Sequence, residues 1–419
     1  MTAVTLPSRI LTLDIVRGVA VMGILAMNIV AFALPEQAYF NPEALGPASP
    51  ADIASWFASF VLFDGKMRGL FSLLFGASML LVIERAEATG LPGHAIHFRR
   101  MAWLLVFGLA HFYLIWEGDI LALYAATGLA AWFFCEQQPA ALVRTALLLF
   151  LAEFLVMAVA ALAYFDAHAA ALVPGANAEA IETWRVMASS LAPLSAERLE
   201  EALALYRGSW PAITGYRLAE QGAMPFTAML WFGCETLAYM LLGMAALKTG
   251  FLRGEWPLSA YRRAAWAGLG FGVAGFALLG WFMLRTHFEM PLLFALAVVA
   301  PIALKPPMVL AIAAAIILAT RRGGWLSARI AAAGRAAFTN YLGASLVMTA
   351  LFYGYGFGLY GKLDRAELWL VVLAAWAAML LWSKPWLDRY LYGPFEWLWR
   401  TLARGALQPM RRAMRDTAE

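Results

Sequence analysis

Long apolar stretches recur along this chain, and they leave few folds open to it. Runs such as "VAVMGILAMNIVAFAL" and "LLFALAVVAPIALKPPMVLAIAAAIILA" approach or exceed the roughly 20 residues that cross about 30 Å of hydrocarbon. In hydrocarbon every backbone polar group must bond within the segment, so such stretches fold as helices. Composition agrees: 63% of the 419 residues are hydrophobic and 14% charged, against about 25% charged in soluble domains. Mean hydropathy is +0.70. The expected class is an all-α polytopic membrane protein. The net charge of +4 fits the positive-inside bias of such proteins, so no nucleic-acid partner is expected.

About ten spans are expected: 16–34, 68–83, 101–116, 120–135, 142–164, 225–247, 264–284, 290–320, 336–357 and 368–382. The eighth is over-long and contains Lys305-Pro306-Pro307, which predicts a broken span or a span plus a re-entrant piece. Basic residues at Arg9, Arg99-Arg100, 248–263, 321–335 and 384–415 all fall on one side of such a bundle. The positive-inside rule makes that side cytoplasmic, with both termini inside. Three units are expected: a transmembrane half over 1–164, a helical insert on the outer face over 165–224, and a second transmembrane half with a basic cytoplasmic tail over 225–419. No cleavable signal peptide is expected. Cys135 and Cys234 match no metal-ligand spacing, and no metal is predicted.

Ionisable residues at membrane depth are costly and so direct attention to function. Asp14 and Arg17 lie three apart, on one helix face at the inner mouth. Asn28, eleven residues beyond Arg17, returns to the same stripe to within about 20°. In "LFDGKMRGLFSLLFGASM", Asp64, Lys66 and Arg68 form a charged knot expected at the outer boundary, with "WFASFVLF" before it lying along the interface. In "GLAHFYLIWEGDILALYA", His111 precedes Trp116 and the tight hairpin Glu117-Gly118-Asp119, with Tyr124 beyond. It is the only one of the five histidines that these boundaries place inside a span. A carboxylate beside a histidine fixes its tautomer and raises its basicity, as a general base requires. Further candidates are Arg335, Asn340, Tyr341, Ser345 and Tyr353.

These motifs, with "YGPFEWLWR", resemble the YeiB family of bacterial inner-membrane proteins over nearly the whole chain. The resemblance implies a place in a transmembrane acyltransferase superfamily, with heparan-alpha-glucosaminide N-acetyltransferase and the acyltransferase-three proteins. The implied activity moves an acyl group from a cytoplasmic thioester such as acetyl-CoA to an outer acceptor. Leu13, Asp14 and Arg17 match the L-D-x-x-R of the acyltransferase-three proteins, while Asn28 stands where they carry a catalytic histidine. The heparan enzyme has Asn there too and uses a loop histidine, which "PEQAYFNPEALGPASPAD" lacks. The role then passes to His111 with Asp119 or Glu117, and Arg17, Arg99 and Arg100 would hold the phosphates of acyl-CoA. The alternative is a transporter or a lipid- or metabolite-binding protein. Expected partners are membrane lipids, a small-molecule acceptor and a second copy in a homodimer.

Overall fold

A computed structural model describes residues 10–189 and 191–412; Arg9 and Arg415 of the predicted basic clusters lie outside them. The first half comprises α1 (Leu11–Ala33), α2 (Pro50–Leu62), α3 (Lys66–Ala88), α4 (Gly93–Leu114), α5 (Leu121–Trp132) and α6 (Pro139–Leu172). Three short helices follow: α7 (Ala178–Ala188), α8 (Ala196–Tyr206) and α9 (Trp210–Glu220). The second half comprises α10 (Met224–Lys248), α11 (Leu258–Arg285), α12 (Met290–Phe294), α13 (Pro301–Thr320), α14 (Trp325–Arg335), α15 (Ala337–Phe352), α16 (Leu368–Arg389) and α17 (Pro394–Arg404). Among the described residues there is no strand, only an isolated bridge between Tyr390 and Arg411.

The chain is an all-α, multi-pass membrane protein. Among the described residues seven helical stretches, not the ten expected, are long and apolar enough to cross a membrane, and α5 and α15 are shorter apolar helices. Large apolar side chains point outward from α6 and α11, among them Leu147, Leu155, Trp266 and Phe271. An outward apolar face is what a helix presents to lipid.

Several boundaries differ from those expected. The helix entered at Pro139 runs to Leu172, past the expected 164. The eighth segment is one continuous apolar stretch, and its irregularity is a π-helical turn at Ala295–Val299. Pro306 and Pro307 lie inside α13. The "WFASFVLF" helix is the end of α2. A Ser49–Asp52 capping box and Pro50 start it, and it then packs on α11: Phe60 meets Phe276 edge-on at 5.4 Å, and Trp56 meets Phe288 at 5.0 Å. This pairing with α11 carries α2 alongside a span, and Gly65 in the left-handed region (φ 67°) turns the chain into α3.

The buried core runs through α1, α3, α10 and α13. Close backbone contact there depends on missing side chains: a Cβ at Gly334 would run into the Asp14 carbonyl, and one at Gly18 into that of Ile330. Small residues at such crossings let membrane helices approach closely. The α1–α14 contact thereby places Asp14, Arg17 and Arg335 around one space.

Candidate functional site

That space is a cavity of about 480 Å³ whose lining comes from α1, α3, α4, α5, α14, α15 and residues 391–400. Its mouth is cationic, with Arg17, Arg85, Arg100, Arg335 and Arg400 against the carboxylates of Asp14 and Glu396. Arg17 pairs with Asp14 at 3.3 Å and donates to Ser78 Oγ at 2.5 Å. The Arg100 guanidinium lies over the Trp399 ring at 3.9 Å, and Trp399 Nε1 donates to the Arg100 carbonyl at 2.9 Å. Glu396 secures this wall by accepting from two amides in the first turn of α15, Phe338 N at 2.6 Å and Thr339 N at 3.1 Å, and from the Thr339 hydroxyl at 2.5 Å. A carboxylate at a helix N-terminus satisfies otherwise orphaned donors. Burial nonetheless pushes the Glu396 carboxyl above its ordinary range. Further in, the lining turns apolar and aromatic, with Ile24, Phe71, Leu104, Tyr124 and Tyr341.

His97, outside the expected span 101–116, also lines the cavity. It belongs to the first turns of α4, is buried, and its Nε2 donates to the Gly128 carbonyl at 2.9 Å. Since a carbonyl only accepts, the neutral ring carries its proton on Nε2 and its lone pair on Nδ1.

His111 and Asp119 lie just beyond the cavity floor. His111 Nδ1 is 2.9 Å from Asp119 Oδ1, and Asp119 Oδ2 accepts from Ala122 N at 2.8 Å. The tight hairpin between α4 and α5 brings them together, and the backbone bond fixes the carboxylate. With Nδ1–H donating to Asp119, Nε2 presents a lone pair; it is buried and has no hydrogen-bond partner among the described residues. Tyr341 stands between this histidine and the cavity, its ring 5.3 Å from the His111 ring. On the other side Trp116 stacks on Phe32 at 3.9 Å.

Glu117 turns away from His111. It accepts from Arg217 Nε at 3.0 Å and from Tyr206 Oη at 2.9 Å, tying the hairpin to α8 and α9. Tyr353 lies under the Arg217 guanidinium at 5.7 Å. Burial, then the Glu117 charge, raise both Tyr206 and Glu36 above their ordinary ranges.

Other candidates are placed elsewhere. Asn28 is half-buried and outside the cavity lining, and Arg99 is exposed. Asn340 is fully engaged in packing, donating to Ala333 O and Ser383 Oγ and accepting from Trp382 Nε1. Ser345 bonds back to the Tyr341 carbonyl. The expected charged knot separates into three environments. Asp64 accepts from Tyr39 Oη at 2.6 Å. Lys66 is fully buried, donates to the Phe60 carbonyl at 2.5 Å and lies 3.0 Å over the Phe276 ring. Arg68 pairs with Glu235, which also binds Lys305 Nζ at 2.5 Å. Buried Glu153 is close enough to feel this cluster's charges. Glu153 and Glu235 are lone acids in "FLAEFL" and "FGCETLAYM", and membrane depth alone was the signal that marks them. Among the described residues no three His, Cys, Asp or Glu side chains gather as a metal-ligand group.

Fold and site together define a polytopic membrane protein with an arginine-mouthed cavity inside its helical bundle. A family model described as "Protein of unknown function (DUF418)" matches residues 246–406. The chain is 31% identical over 417 residues to the uncharacterized protein YeiB of Escherichia coli (strain K12), covering 96% of this chain and 98% of that one. It is also 31% identical to the uncharacterized protein YxaH of Bacillus subtilis (strain 168), over 96% of each chain. No solved structure matches. The chain belongs to the YeiB family.

Proposed function

We propose that this protein is an inner-membrane acyltransferase that takes its acyl group from an acyl-CoA on the cytoplasmic side. The carrying observation is the arrangement along α4. Arg100 stands at the cavity mouth, and His111, eleven residues on, is about 16 Å further along the helix. Arginine suits phosphate because its planar fork donates paired hydrogen bonds, and the positive-inside rule puts the arginine-rich end in the cytoplasm. In this reading the donor phosphates bind at the mouth and the thioester reaches inward. The acceptor hydroxyl or amine comes from the insert end and attacks the thioester carbon. Its proton passes to His111 Nε2, with Asp119 holding the imidazolium. The carbon–sulfur bond breaks, and the thiolate takes the proton back from His111. Purified protein and His111→Ala incubated with radiolabelled acetyl-CoA provide the test. Binding by both, with acyl release by the wild type alone, supports the reading; absence of CoA binding by the wild type refutes it.

A second reading is transport, and it draws on different observations: the Arg68–Glu235–Lys305 cluster, and the π-helical turn at Ala295–Val299 in the segment that carries Lys305. Irregular helices and buried ionic groups mark transporter sites. That reading expects solute flux in proteoliposomes to survive His111→Ala and to be lost in Glu235→Gln.

A further inference from the structure

The cavity is cationic at one end and apolar at the other, a shape that suits a single chain on a phosphate head. Arg17 and Ile24 both line it from α1, and seven residues of helix separate them by about 10 Å. At about 1.25 Å of extension per carbon–carbon bond, that depth holds a tail of about eight carbons. Tyr341 lines the cavity at its inward end, with its hydroxyl donating to the Gly118 carbonyl at 3.4 Å and its ring 5.3 Å from that of His111. Behind it the next layer is filled: His111, Trp116 and Phe32 are buried, with the last two stacked.

We propose, resting on the reading of this cavity as the donor site, that Tyr341 is the specificity-determining residue that sets the length of apolar tail the cavity accepts. The ring is 5.3 Å from that of His111, so the same side chain limits the size of the group that fits beside the histidine. A smaller residue at 341 opens that space and lengthens the accepted tail by about three to four carbons.

The test is binding of n-alkyl monophosphates of increasing length to the full-length protein in detergent, read by native mass spectrometry. In the wild type, affinity rises about fourfold per methylene and then breaks at a limiting length. The break moves to longer chains in Tyr341→Leu and to shorter ones in Tyr341→Trp, while Tyr341→Phe keeps the wild-type break because it keeps the ring. A break at the same length in all four proteins overturns the role of Tyr341 and leaves the donor-site reading standing. Failure of every alkyl phosphate to bind the wild type overturns both. Two competitors separate the sources of the phosphate head. Displacement by adenosine 3′,5′-bisphosphate supports a nucleotide-borne donor; displacement by lysophosphatidate alone overturns that donor and retains the length limit.

Discussion

Replacing Glu235 by glutamine strands two cations at once, because Arg68 and Lys305 share its carboxylate. Removing one partner of a buried ion pair costs about 3–5 kcal/mol, since the remaining charge stays desolvated. Here the Glu235 side chain is 3% exposed and Lys305 10%, but Arg68 is 21% exposed and has the Phe232 ring at 5.0 Å. Arg68 therefore recovers part of its loss, and the lower bound of about 3 kcal/mol applies. Unfolding entropies near 2.1 cal/mol/K per residue give about 0.9 kcal/mol/K for a chain of this length, so the melting temperature falls by about 3 °C. Thermal unfolding in detergent, followed by intrinsic fluorescence, measures this. The triple change Arg68→Met, Glu235→Leu and Lys305→Met returns the melting temperature to near wild type, because an apolar replacement removes charges and desolvation together. A Glu235→Gln protein that melts with the wild type, or a triple variant that melts below the single one, refutes the reasoning.

Three other perturbations follow from the same geometry. Arg217→Met frees the hairpin from α9; a charged hydrogen bond contributes about 1.5–3 kcal/mol, so amide exchange in α9 accelerates between about ten- and a hundredfold, as hydrogen exchange mass spectrometry would record. Gly334→Val drives a side chain into the Asp14 carbonyl; overpacking costs about 1–3 kcal/mol, and the displaced α14 weakens alkyl phosphate binding as well as lowering the melting temperature. Burial raises the Glu396 carboxyl above 4.5, so the folded state holds this proton more tightly than the unfolded chain. Its stabilising contribution is complete below pH 4.5 and is lost as pH rises through the folded value. Exchange in α17 should increase over that window in the wild type, and Glu396→Gln should remove the pH dependence.

Local patterns were the legible part of the molecule. Apolar runs marked the seven long apolar stretches, though not the expected spans 101–116, 120–135 and 336–357 as such; the three-residue spacing joined Asp14 to Arg17, and the short hairpin brought Asp119 to His111. What was illegible depended on partners distant in the chain. "WFASFVLF" shows an amphipathic face without showing what covers it, and its contacts with Phe276 and Phe288 come from more than two hundred residues away. Glu117 and Asp119 were equivalent beside His111 until Arg217, a hundred residues away, claimed the former. His97 was overlooked because two arginines follow it, which reads as the end of a span. Those arginines separate by face instead: Arg99 is exposed while Arg100 joins the cavity. Reading every lone acid inside an apolar run by the rule applied to His111 would have found Glu153 and Glu235.

The cavity takes lining from Ile10 to Arg17 and from Leu391 to Arg400, opposite ends of the described chain. During synthesis the first of these segments enters the membrane long before the second leaves the ribosome. The growing bundle therefore holds an incomplete arginine cluster open to its surroundings until α17 docks on α4 and α15. The enclosed cavity exists only once the last described helix is in place, so a truncated product can reach the membrane and bury most of its helices while this space still lacks one wall.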